Sequence, residues 1–426
     1  MRLLIVSLYW PPAGGPGVQR PLKLAGHLAD LGVDVHVLAP DDPKWLHRDP
    51  APAVHPSLTV HRARNVGPRA RRPAEELARA RGLDRLALRV ELGLRGLLVP
   101  DASVLWNLTA APAAIRLVRR LRPDVVLTTS PPGSVQLAGL AAKRATGVRW
   151  VADLRDSLTQ HAHRRREVRG EGTLARLVAR HADAIVCVSG AIAAETSSLA
   201  PRGILRVIGN GCDFDDFDGL PYRPGPRFRI THAGSFFGRR DPRPFLEALA
   251  QAGGDISARF VGDFRTRDRE YATSLGLDDR LELLPYVPRR EAMALQRDSE
   301  ALLLLIPEAE GRGRGVISAK VFEYLAAERP IVAAVPPDGE AAALIRDTRA
   351  GLVAPPDDSA AIGAALDGLV TRWRAGDLES VSLSDEWKAR LSRRARAEEL
   401  ASLLDEVAGR TPAPPAHAEP PLEAAR

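Results

Sequence analysis

The chain is expected to fold as an α/β protein with two doubly wound parallel-sheet domains in tandem, facing a cleft. Three observations predict this. Short apolar runs of strand length alternate with stretches of helical period through both halves of the sequence. The alternation lapses once, into a Gly-, Asp- and Pro-containing stretch at 209–226, and then restarts. At 426 residues the chain is also too long for one ordinary core.

The elements follow in order. Strands are expected at 3–8, 33–38, 124–128, 148–152, 184–188 and 204–208, with helices between most of them, such as 18–31 and 134–145. The region 74–98 is helical in period and carries arginine on its polar positions. After the lapse, strands are expected at 228–232, 257–261, 281–284, 301–306, 331–335 and 351–353, with helices at 242–251, 317–327 and 360–373. This gives an N-terminal Rossmann-like domain at 1–208 and a C-terminal one at 209–383. A closing helical stretch within 384–408 is expected to pack back on the first domain. The tail 411–426 is Pro, Ala and Glu with little to bury, and is expected to be disordered.

Composition narrows the function. The formal charge is +7, yet only five of the basic residues are lysines, Lys23, Lys44, Lys143, Lys320 and Lys388. An arginine excess of this kind reads as compositional bias, and no RNP, zinc-finger or basic-zipper pattern accompanies it, so nucleic acid is not an expected partner. Cys187 and Cys212 lack metal-ligand spacing and read as reduced thiols. No run of eighteen apolar residues occurs and the first apolar run is too short for a leader, so a cytoplasmic protein is expected. Arg69–Arg72 and the arginine-rich helices to Leu98 could meet the anionic inner face of a membrane, although a solvated arginine face is the plainer reading.

Four segments carry chemistry. Gly313 to Ala334 combines a glycine-rich loop, a helix N-terminus at Ile317, Ser318 and Ala319, and one turn later Lys320 and Glu323 on one face. Exposed amides and the positive end of a helix suit an anion, the lysine adds a cation, and the carboxylate suits a ribose diol. The turn at Gly14 and Gly15 follows the first strand, where open α/β sheets bind ligands; a tight surface loop is the alternative. Asp153, Arg155 and Asp156 stand at the end of a strand, able to orient a hydroxyl, accept its proton or pair with each other. His232-Ala233-Gly234-Ser235 is again a strand followed by a glycine turn, leading to Arg239 and Arg240. One of these, with Arg240 preferred, is expected to clamp a diphosphate opposite Lys320.

In this order the segments resemble the retaining GT-B glycosyltransferases of family 4, over about residues 1 to 408. The likeness rests on Asp183 to Ser189 at a strand end, Val207-Ile208-Gly209-Asn210-Gly211-Cys212-Asp213 entering the linker, His232 to Ser235, and Lys320-Val321-Phe322-Glu323-Tyr324-Leu325-Ala326. Each motif is unspecific alone; their order and spacing are specific. The resemblance implies a nucleotide-sugar donor held by the C-terminal domain. Glu323 would lie on the ribose hydroxyls and the amides of Ile317, Ser318 and Ala319 on the distal phosphate. Gly234 and Ser235 would lie close to the donor, and Lys320 and Arg240 would stabilise the leaving diphosphate. Gly14, Gly15, Asp153, Arg155 and Asp156 would face a glycan or glycolipid acceptor, with Asp153 counted among the catalytic groups. No metal or other cofactor is implied.

One departure stands out. The glutamate many members carry eight positions before Glu323 is Gly315 here, and Glu308 and Glu310 lie out of register. The Gly-Val-Ile-Ser-Ala-Lys-Val-Phe-Glu version looks like a branch that builds surface polysaccharides and glycolipids. Two other functions fit the same features, a nucleotide-sugar 2-epimerase and a catalytically altered nucleotide-sugar-binding protein.

Overall fold

In a computed structural model, which describes residues 1–42, 48–49, 53–66, 82, 98–159, 170–236 and 239–411, two units cluster separately. One takes the described residues of Met1–Thr159 and Arg166–Asn210 together with those from Ala389 onward; the other runs from Gly211 to Lys388. The arginine-rich stretch 69–98 lies, but for Gly82 and Leu98, outside the described residues, as does the tail beyond Thr411.

The strands of the first unit are β1 (Arg2–Ser7), β2 (Asp34–Pro40), β3 (Thr59–Ala63), β4 (Val125–Ser130), β5 (Arg149–Leu154), β6 (Ala184–Cys187) and β7 (Ile204–Val207). They pair all-parallel in the order β3-β2-β1-β4-β5-β6-β7. Helices α1 (Pro16–Asp30), α2 (Asn107–Leu121), α3 (Gln136–Thr146), α4 (Glu171–His181) and α5 (Gly190–Ser197) connect them. Because side chains alternate across a strand, Leu3 and Ile5 of β1 enter one core while Leu4 and Val6 enter another on the opposite face. Sandwiching of this kind makes the central strands read as continuous apolar runs. β3 escapes that pattern: Thr-Val-His-Arg-Ala at the sheet edge buries only Ala63, and its sequence predicts no strand.

The second unit contains β8 (Phe228–Ala233), β9 (Ile256–Val261), β10 (Leu281–Leu284), β11 (Ala301–Leu305), β12 (Ile331–Ala334) and β13 (Gly351–Ala354). These pair all-parallel in the order β10-β9-β8-β11-β12-β13. Its helices are α6 (Arg243–Gln251), α7 (Thr266–Ser274), α8 (Arg289–Arg297), α9 (Ala319–Ala326), α10 (Glu340–Asp347), α11 (Ser359–Arg374) and α12 (Asp385–Leu391), the last of which runs on past Lys388. Phe245, Leu246 and Leu249 of α6 and Ile362, Leu366 and Leu369 of α11 seal one face of this sheet.

The single closing helical stretch expected within 384–408 is two helices. Ser392 takes an extended backbone (φ −68°, ψ 146°) and its hydroxyl accepts from the Ala395 amide, so α12 stops and α13 (Arg393–Ala408) starts afresh. Leu400, Leu403, Leu404 and Val407 of α13 join Leu22, Ala25 and Leu28 of α1 in one core, so the C-terminal helix does pack on the first sheet domain.

A fully buried carboxylate fixes the entrance to the second unit. Glu300 accepts from the Arg229 amide at 2.8 Å, the Tyr222 hydroxyl at 3.1 Å and the Gly225 amide at 3.4 Å. The Arg329 guanidinium lies 3.4 Å from the centroid of the Tyr222 ring, adding a cation–π contact. The later part of the Gly-, Asp- and Pro-containing stretch, at Tyr222 and Gly225, is thus tied to the second unit.

Candidate functional site

A doubly wound sheet opens a crevice where neighbouring strands send their connections to opposite faces, beyond the carboxyl ends of those strands. In the second unit this point lies between β8 and β11, adjacent in the sheet but not consecutive in the chain. Two loops meet there: Gly234 onward after β8, and the Pro307-to-Ser318 connection into α9.

Gly234 is required by geometry. Its φ is +138°, and a Cβ there would stand 2.2 Å from Lys320 Nζ and 2.4 Å from Cε. The turn is held from below by Tyr324 of α9, whose hydroxyl accepts from the Ala233 amide at 3.0 Å; burial pushes that hydroxyl well above its ordinary range. Ser235 next to it donates from Oγ to Asp263 Oδ2 at 3.2 Å and accepts from the Asp263 amide at 3.0 Å.

α9 is short and amphipathic. Val321, Phe322, Tyr324 and Leu325 are buried, which leaves Lys320 and Glu323 on the remaining face. Ser318 caps it, its hydroxyl accepting from the Lys320 amide at 3.4 Å. Among the described residues none accepts a hydrogen bond from the amides of Ile317, Ser318 or Ala319, and these remain as donors at the positive end of the helix.

The charges around Lys320 are arranged unevenly. Nζ lies 3.3 Å from His232 Nε2, and His232 Nδ1 donates to the Leu303 carbonyl at 2.8 Å, so Nε2 carries the lone pair. His232 is fully buried against Phe236 and Phe260. Desolvation first, then the repulsion of Lys320, holds its imidazole well below the usual histidine range. Desolvation and then the Arg240 guanidinium depress the Lys320 ammonium well below its usual value, opposed by Glu323. Glu323 itself faces Arg289 of α8 at 3.5 Å, and Arg289 also grips Asp216 at 2.8 Å. Burial opposes the Arg289 charge, but Glu323, Asp216 and Asp213 together more than offset it and raise its affinity for the proton.

Arg239 and Arg240 diverge. Arg239 pairs with Glu310 at 2.8 Å, joining the two loops of the crevice, whereas the Arg240 charge acts on Lys320 and His232. Glu310 and Ala309 both sit in the left-handed region (φ 59° and 51°), a conformation that costs a non-glycine residue about 1–2 kcal/mol. Glu308, the other upstream carboxylate, pairs with Arg314 at 3.3 Å.

The corresponding point of the first unit lies between β1 and β4. Gly15 has φ +93° and open space where a Cβ would stand, next to Gly14. Arg155 donates to the carbonyls of Gly17 (2.6 Å), Ser130 (2.7 Å) and Pro131 (3.3 Å), knitting the loops after β1 and β4 together. Asp153 is 4% exposed; Arg20 reaches its two oxygens at 3.0 and 3.3 Å and Thr129 donates to it at 2.7 Å. Arg20 goes on to the carbonyls of Ile208 (2.9 Å) and Gly209 (2.6 Å). Asp153 and Arg155 therefore do not pair with each other as the sequence allowed: Asp153 pairs with Arg20, Arg155 with carbonyls, and Asp156 is exposed.

Sequence reasoning singles out Gly234, Ser235, Arg240, Lys320 and Glu323, and the structure brings all five to the β8–β11 crevice. It does not single out the side chains of His232, Arg289 and Asp216. Only the place of His232 at the end of a strand, before a glycine turn, signalled that it belongs there.

Comparisons with known proteins agree with this architecture. Residues 14–211 match the family model of the glycosyl transferase 4-like domain, and residues 227–372 that of the glycosyl transferases group 1. No curated protein matches the chain by sequence. Among solved structures, sucrose-phosphate synthase from Thermosynechococcus elongatus superposes with a TM-score of 0.68 at 15% identity, covering 95% of this chain and 98% of that one. HepE of Anabaena in complex with UDP-glucose gives 0.63 at 15%, covering 95% and 100%. A trehalose-6-phosphate structure from E. coli bound with UDP-2-fluoro glucose gives 0.62 at 13%, covering 97% and 100%. With matches in order over most of its length and two parallel-sheet domains of the GT-B fold, the chain belongs to the group 1, family 4 glycosyltransferases and is a nucleotide-sugar glycosyltransferase.

Proposed function

We propose that this glycosyltransferase moves a hexosyl or related residue from a nucleoside diphosphate sugar, with retention and without a metal, to a precursor of a surface polysaccharide, glycolipid or other glycan. The observation that carries the reading is the β8–β11 crevice. It gathers unsatisfied helix N-terminal amides, a lysine against a glycine turn, a second cation and a carboxylate held by an arginine. HepE, similar in fold, binds UDP-glucose, which favours a uridine diphosphate sugar here.

In this reading Glu323 accepts from the ribose hydroxyls, oriented by Arg289, and the amides of Ile317, Ser318 and Ala319 hold the distal phosphate. Gly234 and Ser235 let the backbone approach it. As the glycosidic bond breaks, negative charge grows on the leaving diphosphate, and Lys320 and Arg240 stabilise it. Donors fixed in advance need no reorganisation at that moment. The first unit supplies the acceptor side through the Gly14–Gly15 loop. Asp153 serves there as a brace, since its oxygens are already committed to Arg20 and Thr129.

The test is a turnover assay over UDP-, GDP-, ADP- and dTDP-sugars with lipid-linked and oligosaccharide acceptors, with product anomers read by NMR. Expected are free nucleoside diphosphate, a product with the donor's anomeric configuration, and rates unchanged in EDTA. An inverted product, or loss of activity with EDTA restored by a divalent cation, contradicts the mechanism. A sugar isomerised while still attached to its diphosphate would establish the epimerase instead.

A further inference from the structure

Helix α1 contains a proline, Pro21. Proline has no amide hydrogen, so the carbonyl four residues before it, that of Gly17, loses its helical partner. Arg155 takes that carbonyl from across the first unit, its Nη1 donating at 2.6 Å. Nε and Nη2 of the same guanidinium donate to Ser130 and Pro131, at 2.7 and 3.3 Å. The start of α1 and the loop after β4 thus fix the group at the β1–β4 crevice, where it is only partly buried.

Carbonyls orient a guanidinium without neutralising it. It has five N–H donors, so these three bonds leave one on each of Nη1 and Nη2, the two nitrogens through which a carboxylate or phosphate is gripped bidentately. Among the described residues Arg155 forms no ion pair. Burial weighs most on its charge and lowers its affinity for the proton; Asp153 and Asp156 oppose that through space, and Arg20 adds to it. Asp153 is already bonded to Arg20 and Thr129, and Asp156 is exposed.

The helix end beside the guanidinium has the same sign. α1 starts without a side-chain cap and without an acid in its first turn, which leaves the positive end of its dipole uncompensated. Gly15, which precedes it, has nothing within 4 Å of where a Cβ would stand, so the approach is open. Gly17, whose carbonyl Arg155 holds, belongs to that first turn.

We propose that Arg155, at the amino end of α1, binds an oxyanion of the acceptor, a phosphate or a carboxylate, so that the acceptor is an anionic molecule; this rests on the reading of the first unit as the acceptor side. Three sources carry that chemistry: a sugar phosphate, a lipid phosphate and a uronic acid.

The experiment is calorimetric titration of the full chain, in saturating UDP, with paired probes: glucose 6-phosphate against glucose, farnesyl phosphate against farnesol, and glucuronate against glucose. UDP keeps the donor crevice occupied. Expected is binding of at least one ionised probe and at least tenfold weaker binding of its uncharged counterpart, the responding pair naming the source. Arg155→Met should weaken that binding about tenfold to a hundredfold, the loss of a hydrogen bond to a charged group. Asp156→Asn removes a competing negative charge from an exposed position and should tighten it about twofold to threefold in low salt. Because Arg155→Met also gives up three carbonyl bonds, its melting temperature is recorded; if it unfolds, Asp156→Asn and the paired probes decide. Overturning results are no binding of any ionised probe, equal binding within a pair, unchanged binding by folded Arg155→Met, or unchanged binding by Asp156→Asn. UDP that fails to bind contradicts the donor site instead, and the same variants still decide the role of Arg155.

Discussion

Replacing Lys320 by methionine is expected to lower kcat/KM for the donor sugar a hundredfold to a thousandfold, roughly 2.7–4 kcal/mol of transition-state stabilisation. The fold should survive, because Lys320 does not hold the free protein together. Its ammonium shares the crevice with Arg240 and has a neutral histidine as its partner, so removing it relieves repulsion. The linkage sign follows from the same fact. The folded-state proton affinity of Lys320 is depressed below that of the unfolded chain, so this group makes stability rise with pH from its folded value up to the ordinary lysine value. In Lys320→Met that contribution to the slope vanishes. Steady-state kinetics against thermal melts at two pH values separate the two effects: activity collapses while the melting temperature holds or rises. A variant that lost stability and activity together would make Lys320 a structural residue and remove it from the chemistry.

Arg20→Leu is expected to destabilise the first unit by about 3–5 kcal/mol. The Arg20–Asp153 pair is 7% and 5% exposed at its two side chains, and removing one charge strands the other in a poorly solvating interior. Arg20 also donates to the Ile208 and Gly209 carbonyls, so the exit of the last strand loosens with it. Asp153→Asn should cost stability for the same reason, and the double variant Arg20→Leu/Asp153→Leu should recover part of either single loss. Trp10, Trp106 and Trp150 are fully buried in this unit, so urea unfolding followed by tryptophan fluorescence reports on it. The comparison also decides the part Asp153 plays. A brace loses stability in Asp153→Asn, whereas a proton acceptor would lose turnover with its urea midpoint unchanged.

How much of this was legible in the sequence follows from what each signal depends on. Strands built as apolar runs announce themselves, and twelve of the thirteen described strands are visible that way. β3 is not, because an edge strand with His61 and Arg62 on it owes its pairing to β2 rather than to its own residues. The break at Ser392 is invisible while the helical period continues on both sides of it. At the site, Gly234, Lys320 and Glu323 are legible because local chemistry dictates them: a positive-φ turn, a helix start and a spacing of three. What was hidden is pairing across the fold. Arg20 lies 133 residues from Asp153, and Lys320 lies 88 residues from His232. In a chain so rich in arginine, nothing local marks Arg20 or Arg289 as the ones that matter.

The central claim is that the donor binds at the β8–β11 crevice of the second unit, and hydrogen–deuterium exchange with and without UDP tests it most directly. The account predicts slowed exchange at the amides of Ile317, Ser318 and Ala319 and in the Gly234–Ser235 turn, lost in Glu323→Ala at the same UDP concentration. Protection confined to the loops after β1 and β4, with the α9 amides unchanged, would contradict it.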